Sequence, residues 1–574
     1  MKNNDQSSLR KEYVSKFFKG NRSAYFTMLT ASVLFSVLNL AVAWLLQQLV
    51  DNVSKVQGAL PLYVLALLTA GIVLLILPLK ALNYFSQPRF MKKALMQFKR
   101  FAFEKLSRKS IASFQSEVTA TYLSAFSNDL TAIETNYLEK QFTLVFNTVL
   151  ACGAVVLMLA YSPVLAVVAI GLCVMPLLAS SFTGRYMEKA EKETSERNAG
   201  FAASLKDILS GFSVIKSFRA ENSAIDLLEQ SSMAVEDAKC RKRKLSVILS
   251  TIGGIAGISA QLGTFLVGAV LAQQGFGITP GMLFVFMDLT GAVITSVREM
   301  PELLASRRAA LALVDKMALS LESNVRDEGK DIPNHLENGI SVHNLRFGFE
   351  PDSEILHDIN IDFETGKSYA IVGNSGSGKS TLLNLLMASR HDYEGTISFD
   401  GAELRDISSK SIYELVSMVE QNVFVFDASI RDNITMFRDF PTADVDRAIE
   451  LSGLSRLINE RGGDYLCGEN GKNLSGGEKQ RISIARSLLQ KPSVLLADEV
   501  TAALDAETGY QVTGDILKLD GITRIVVTHA LVESLLKQYD GIIVLKDGRI
   551  VESGTFDDLM DKKGYFYALY TVAQ

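Results

Sequence analysis

Four stretches in the first half of the chain carry no charged side chain: Ser23–Val50, Val56–Leu79, Gln141–Gly184 and Leu245–Met287, of 28, 24, 44 and 43 residues. About 20 residues of helix cross a hydrocarbon core, so the first two are single spans and the last two are each long enough for two. Turn-forming residues sit near the middle of both long tracts, Tyr161-Ser162-Pro163 in one and Gln273-Gln274-Gly275-Phe276-Gly277 with Pro280-Gly281 in the other. The pattern therefore predicts six membrane spans, near residues 23–50, 56–80, 141–161, 163–185, 245–271 and 280–305, in an all-α domain covering 1–320. Buried helices of soluble proteins seldom run this long without charge.

Between the spans, the intervals 81–139 and 186–244 are nearly equal in length, amphipathic and poor in proline. They are expected to continue the flanking spans as helices, each with a short element at its tip that touches another domain. The predicted tips are Thr119–Ile133, around Ser127-Asn128-Asp129, and Ile208–Glu221, around Gly211-Phe212 and Ser217-Phe218. Asp288 interrupts the last apolar run. A carboxylate at the centre of a span costs about 2.5–3.5 kcal/mol, so Asp288 is expected to face a cavity, a partner or water, or to pair with Arg298 near the interface.

Beyond Leu321 the pattern changes. A polar linker over 321–339 leads into 340–574, where short Val- and Ile-rich strands alternate with helical segments: Ser368–Val372, Ser493–Ala497, Arg524–Thr528 and Gly541–Leu545. This alternation predicts an α/β domain with a largely parallel sheet, and Asp547-Gly548 predicts one hairpin. Charge separates the two halves: residues 1–320 hold 33 Lys and Arg against 22 Asp and Glu, and 321–574 hold 25 against 41. The acidic second half argues against nucleic acid as a partner. The basic residues of the first half cluster at 1–22, 80–140 and 185–244, with 28 in these and only Lys55 in the opposite loops, which predicts cytoplasmic termini in an inner (cytoplasmic) membrane. The polar stretch Met1–Arg22 does not read as a cleavable signal peptide. Four cysteines, Cys152, Cys173, Cys240 and Cys467, have neither disulfide-framework nor metal-ligand spacing.

Candidate chemistry lies in the second half. Gly373-Asn374-Ser375-Gly376-Ser377-Gly378-Lys379-Ser380 follows the strand Tyr369–Val372 and precedes the helical stretch Thr381–Met387. In that context the glycines let successive backbone N–H groups turn toward one anion, Lys379 reaches the β and γ phosphates and Ser380 ligates magnesium. Ser493-Val494-Leu495-Leu496-Ala497-Asp498-Glu499 is an apolar strand ending in two acids. Asp498 is placed to hold Mg2+, and Glu499 to orient or deprotonate an attacking water.

Those two motifs describe any P-loop NTPase. Leu474-Ser475-Gly476-Gly477-Glu478-Lys479-Gln480-Arg481, which opens the helical run Lys479–Leu489, narrows the choice, because it resembles the signature of ATP-binding cassette (ABC) transporters. Gln421 resembles the Q-loop, Leu504-Asp505 the D-loop and His529 the switch histidine, and Phe349 lies where an aromatic stacks on adenine. The resemblance covers nearly the whole chain and implies a half-transporter of the type IV exporter fold: a six-helix membrane domain fused to an ABC ATPase domain with a helical subdomain. It implies ATP and Mg2+ as cofactors, with Ser380, Gln421 and Asp498 toward the metal, and Glu499, His529 and Gln421 as the catalytic set. Gly373 to Thr381 and Phe349 bind the nucleotide, and Ser475, Gly476, Gly477 and Asp505 complete the pocket of a second chain.

The partner implied is a second half-transporter, with a homodimer favoured. The implied activity is ATP-driven export by alternating access of an amphipathic compound, drug, lipid or peptide. The rivals are an exporter-fold importer of a metal-chelating siderophore and an ATP-gated channel or regulator. The sequence departs from the family's usual pattern at Phe349 for Tyr, at Glu478 for Gln, and across Val500-Thr501-Ala502-Ala503.

Overall fold

A computed structural model describes residues 3–115, 119–322, 329–350, 353–500 and 506–573. The chain divides into two compact units, Met1–Lys105 with Ala120–Glu322, and Leu106–Thr119 with Ser323–Gln574.

The first unit is helical. After α1 (Asn3–Phe18) come α2 (Arg22–Val53) and α3 (Leu62–Leu106). Past the second unit's α4 (Ile111–Gln115) follow α5 (Thr121–Tyr161), α6 (Pro163–Ser210), α7 (Phe212–Ser217), α8 (Glu221–Gln273) and α9 (Pro280–Glu322). Among the described residues, α2, α3, α5, α8 and α9 are each long and apolar enough to cross a membrane, and α6 opens with the shorter apolar run Pro163–Met175. The turn between α5 and α6 forms where proline and serine demand it. Ser162 is extended, its hydroxyl accepts the Leu165 N–H at 3.4 Å, and Pro163 takes the first helical position, where a missing N–H costs nothing.

Lipid tails are as apolar as leucine, so these helices are joined by close packing and interhelical hydrogen bonds. Their core combines Ala43, Ala154, Met158, Leu165, Ala169, Phe286, Leu289 and Val293. Gly153 and Gly268 are tight points: a Cβ would come within 2.3 Å of Leu40 Cδ1 at the first and 2.6 Å of Leu283 Cδ2 at the second. Ser36 Oγ donates across to the Phe146 carbonyl at 3.0 Å, and Asn147 Nδ2 to Glu299 Oε2 at 2.9 Å.

A buried polar joint of this unit centres on Asp51, near the end of α2 and 3% exposed. Its carboxylate accepts the Gly281 N–H at 2.8 Å, the Thr279 hydroxyl at 3.0 Å and the Gln47 amide at 2.8 Å. Gln47 in turn accepts the Tyr161 hydroxyl at 2.9 Å. A negative group thus caps the N-terminus of α9 and ties α2, α5 and α9 together at one end. Asp288 lies exposed on α9 and makes no hydrogen bond or ion pair among the described residues, with Arg298 or otherwise.

At the other end, α1 packs Tyr13 and Phe17, both fully buried, against α3, with Phe17 stacked on Phe98 at 4.2 Å. Arg10 Nε donates to Asp315 Oδ1 of α9 at 2.7 Å.

The first expected tip is displaced. Thr119–Ile133 is helical in its entirety, with a π-helical turn at Ala125–Asp129. The Ser127 and Thr131 hydroxyls back-bond to the Leu123 and Ser127 carbonyls at 2.6 and 2.8 Å, and Asp129 pairs with Lys316 of α9 at 3.1 Å. Residues that favour turns are here satisfied inside a helix. The short element is α4 instead, which belongs to the second unit; its Ser113 N–H donates to Ser110 Oγ at 3.2 Å and its Ile111 N–H to the Tyr413 hydroxyl at 3.1 Å. The second expected tip contains α7, with Phe212, Val214 and Phe218 all exposed.

In the second unit, β1 (Gly339–Glu350), β2 (Ser353–Glu364), β4 (Glu394–Phe399) and β5 (Ala402–Glu403) form an antiparallel sheet in the order β2-β1-β4-β5. The main sheet runs β10-β9-β3-β8-β7-β6, from β3 (Ser368–Gly373), β6 (Val416–Val419), β7 (Val494–Asp498), β8 (Thr523–Val527), β9 (Gly541–Lys546) and β10 (Arg549–Gly554). All its pairings are parallel except β9 with β10, the hairpin at Asp547-Gly548. β7 and β8 are buried at every residue, which accounts for their unbroken apolar runs. Four helices, Ile430–Thr435, Thr442–Leu451, Ser455–Arg461 and α11 (Gly476–Leu489), pack a separate small core around Ile434, Val445, Leu457 and Ile482, forming a helical subdomain.

The start of β3 is anchored by Asp540, which accepts the Ser368 N–H at 2.8 Å and the Ser368 hydroxyl at 2.9 Å. Burial alone would raise its pKa, but the two Ser368 bonds and the Lys367 charge outweigh it and hold the carboxyl below its usual range. A depressed carboxylate contributes stability that is present at neutral pH and lost as pH falls through its folded-state pKa. Asp540→Ala is therefore expected to destabilise the protein by about 1 kcal/mol, at the low end because the group keeps solvent contact. Thermal melts of variant and parent should differ at pH 7 and converge in acid; a difference that persists in acid would assign the loss to packing.

Candidate nucleotide site

Four adjacent strands of the main sheet end in loops at one edge. There β3 passes into Gly373–Ser380, β8 into Thr528-His529, β7 into Asp498-Glu499 and β6 into Glu420-Gln421. Ligands of parallel sheets bind outside this carboxyl-terminal edge, so residues far apart in sequence meet there because strand order makes them neighbours.

The phosphate loop is built by backbone constraint. Gly373 at φ +154° lies so close to β9 that a Cβ would sit 2.2 Å from the Leu545 carbonyl oxygen. Gly378 at φ +97° occupies the left-handed region directly before α10 (Lys379–Leu386), against Leu356. Neither position tolerates a side chain without rearrangement. Asn374, Ser375 and Gly376 are exposed at the crest, and Thr381 follows in the first turn of α10.

Lys379 is 4% exposed, and its ammonium is held by the Gly373 and Asn374 carbonyls at 3.0 and 2.9 Å. Burial lowers its pKa, and the charges of Glu499 and Asp498 oppose the shift. Ser377 Oγ is buried and has no hydrogen-bond partner among the described residues. An uncommitted hydroxyl beside a buried cation and a helix start is a fitting environment for a phosphate.

Ser380 Oγ donates to Asp498 Oδ1 at 3.0 Å. Burial raises the Asp498 pKa; the Ser380 bond and the Lys379 charge lower it, and neighbouring Glu499 pushes it up. A desolvated carboxylate next to a hydroxyl is a hard-oxygen donor pair suited to Mg2+. Among the described residues no group of three or more His, Cys, Asp or Glu could hold a metal.

Glu499 has φ 50°, in the left-handed region, and its N–H donates to the Val527 carbonyl at 3.1 Å. This turn directs its carboxylate between two side chains from neighbouring strands. Gln421 Nε2 donates to Oε2 at 2.5 Å, and His529 Nε2 lies 2.8 Å from Oε1. The carboxylate is largely shielded, whereas the imidazole is about half exposed. Such a group, positioned by two partners beside a phosphate loop, can orient a water and accept its proton.

Phe349 on β1 is 60% exposed and packs edge-on to Phe347 at 5.2 Å. The Arg390 guanidinium lies 5.3 Å from its ring centroid. Sequence reading missed Arg390, which is distant in the chain and reaches the ring only through the fold.

Ser475, Gly476 and Gly477 open α11, and no hydrogen bond or ion pair links them to the phosphate loop among the described residues. Ser475 caps the helix: its Oγ accepts the Glu478 N–H at 3.2 Å while Glu478 Oε2 accepts the Ser475 N–H at 2.7 Å. Glu478, read as a departure from the family pattern, completes a reciprocal capping box, which either Glu or Gln can do. Asp505, with Thr501 to Leu504, lies outside the described residues.

Two family models match the chain in succession, the ABC transporter transmembrane region over residues 25–297 and the ABC transporter over 356–502. Similar curated proteins include the ATP-dependent lipid A-core flippase of Desulfotalea psychrophila, 27% identical over 95% of this chain and 96% of that one. A putative multidrug export ATP-binding/permease protein of Bacillus subtilis is 27% identical over 98% and 99% of the two chains. The beta-(1→2)glucan export ATP-binding/permease protein of Agrobacterium vitis is 30% identical over 64% and 63%. Among solved structures, that of a bacterial Atm1-family ABC exporter with ATP bound matches with a TM-score of 0.82 at 24% identity, over 96% of this chain and 99% of that one. A helical membrane unit followed by one ATPase unit, matched in that order by both models, places this chain in the ATP-binding cassette transporter family, as a multi-pass half-transporter of the type IV fold and a transport-coupled ATPase.

Proposed function

We propose that two copies of this chain form an exporter that moves an amphipathic compound, drug, lipid or peptide across the inner membrane by alternating access. The observation that carries the reading is the hold on Glu499, between Gln421 at 2.5 Å and His529 at 2.8 Å, at the end of a fully buried strand. Export is supported by the relatives, whose names specify a flippase, multidrug export and glucan export. In this reading residues 1–320 are the membrane domain, 321–339 the linker and 340–574 the cassette, with both termini in the cytoplasm.

Gly373 to Thr381 bind the ATP phosphates, with Lys379 on the β and γ groups, and Phe349 offers its exposed face to adenine. Ser380, Asp498 and Gln421 hold Mg2+, which supplies charge neutralisation on the phosphates. Glu499 takes the proton of the attacking water, and His529 holds Glu499 and senses the γ-phosphate. Ser475, Gly476 and Gly477, at the start of α11 and uncommitted to their own phosphate loop, complete the pocket of the second chain, with Asp505 alongside. Closure of the two cassettes is passed to the membrane helices through α4 and α7.

Inside-out vesicles test the direction. ATP should drive accumulation of a transported probe in their lumen and raise ATPase activity in its presence. ATP-driven depletion of preloaded siderophore would establish the importer instead, and ATP-gated leakage down a gradient a channel.

A further inference from the structure

The membrane unit holds a cavity of about 540 Å³ that the reading above leaves without a role. It lies between α2, α3 and α5 and is within the size range of small-molecule sites. Two polar stripes face it. Lys80, Asn83 and Gln87 follow one another at three- and four-residue spacing on α3, and Thr135, Glu139 and Thr143 at four-residue spacing on α5. Glu139 ends a second π-helical turn, Glu134–Glu139, a distortion often found at functional sites.

The charges in this cavity are not used up within the chain. Lys80 forms no ion pair or hydrogen bond among the described residues; its ammonium sits over the Phe35 ring at 4.7 Å. Glu139, Asn83 and Gln87 likewise have no partner among the described residues. Lys140, which also lines the cavity, is already committed to Ser306 at 2.9 Å and Glu302 at 3.5 Å. Among the described residues the site therefore offers one free cation, one free anion and two free amides. Leu79, Phe142 and Phe146 add apolar wall, and Ser32, Thr135 and Thr143 add hydroxyls. Lys80 and Glu139 are both exposed, so each is open to a ligand group of opposite charge. Lys80 directly follows the uncharged tract that ends at Leu79, which puts the cavity at headgroup depth on one side of the bilayer.

We propose that this cavity binds the headgroup of a zwitterionic amphiphile, with a phosphate on Lys80, an ammonium on Glu139 and the apolar tail leaving toward the bilayer. The proposal rests on the export reading only in offering the site as a place of substrate entry. A resident bilayer lipid would supply the same chemistry.

The test uses full-length protein in detergent and three short-chain probes of matched tails: a phosphatidylethanolamine, a phosphatidylglycerol and a diacylglycerol lacking the phosphate. Binding is read directly by calorimetry. The parent should prefer phosphatidylethanolamine, with diacylglycerol weakest. Lys80→Gln should weaken both phosphate probes at least tenfold, with Lys80→Arg restoring them. Glu139→Gln should weaken phosphatidylethanolamine by a similar factor and leave phosphatidylglycerol within about twofold. Equal binding of all three probes by the parent would overturn the proposal, as would variants that weaken all three alike or none. Thermal melts of each variant separate loss of the site from loss of the fold.

ATP-dependent movement of labelled phosphatidylethanolamine across proteoliposomes identifies the occupant as cargo; binding in the stated pattern without movement identifies a resident lipid. Export that persists when this pattern fails leaves the transport reading standing and removes only the headgroup site. The pattern found together with ATP-driven import does the reverse.

Discussion

Glu499→Gln is expected to reduce ATP hydrolysis by at least about a hundredfold while leaving nucleotide binding intact, within the range of roughly 10²–10⁴ that a positioned general base contributes. The replacement has nearly the same shape. An amide at 499 keeps a carbonyl oxygen for the Gln421 donor and presents an NH2 group toward His529, so the turn at φ 50° and the bond to Val527 should survive. What is lost is the carboxylate's negative charge, and with it the basicity that lets it take the proton. ATP should then bind, close the two cassettes and remain unhydrolysed, detectable as occluded nucleotide and a stable dimer beside a collapsed rate of phosphate release. Undiminished turnover would remove Glu499 from the chemistry and transfer the role to another group.

Asp51→Ala should produce the largest loss of stability. The carboxylate is nearly inaccessible and accepts three hydrogen bonds from three different residues, and truncation leaves the Gly281 N–H, the Thr279 hydroxyl and the Gln47 amide without their acceptor. Each buried donor stripped of its partner costs about 1–3 kcal/mol, so the total is several kcal/mol and the joint of α2, α5 and α9 opens. Asp51→Asn should fall between parent and alanine. Its single oxygen accepts from one donor, its NH2 opposes another, and only Thr279 can turn its hydroxyl to accept instead. The expected order of thermal inactivation midpoints in detergent is parent, then asparagine, then alanine. Gly281→Ala should resemble the alanine variant, because its Cβ would sit 2.3 Å from the Gln47 carbonyl oxygen. Equal midpoints across this series would show that the joint is not structural.

The nucleotide site was legible in the sequence to the degree that its chemistry is local. A loop that must cradle phosphates needs glycines at fixed offsets, and a strand that delivers an acid to a sheet edge must be apolar up to that acid; both are visible in a line of text. Gln421 and His529 are single residues with no such local signature, and only the family resemblance marked them. The structure brings them within hydrogen-bonding distance of Glu499.

What escaped notice depends on partners remote in the chain. Asp51 reads as a loop acid until Gly281 and Thr279 meet it across 230 and 228 residues. Ser127-Asn128-Asp129 reads as the centre of a tip between helices until Lys316 claims Asp129 and the hydroxyls bond back along their own helix. Arg390 gave no sign of meeting Phe349. Glu478 looked like a substitution and proved to be half of a capping box.

In the proposed exporter each ATP is enclosed by two chains, by the phosphate loop of one and Ser475 of the other. Mixed dimers test it directly. Lys379→Ala destroys a chain's phosphate loop, and Ser475→Arg destroys its contribution to the neighbouring pocket. Each variant alone should be inactive, since both pockets of its homodimer are damaged. When the two are co-expressed and the mixed dimer is isolated with distinct tags, one pocket pairs the intact Lys379 of one chain with the intact Ser475 of the other, and ATPase activity should return. A mixed dimer as inactive as its parents would mean that each chain closes its own site, and would contradict the shared pocket outright.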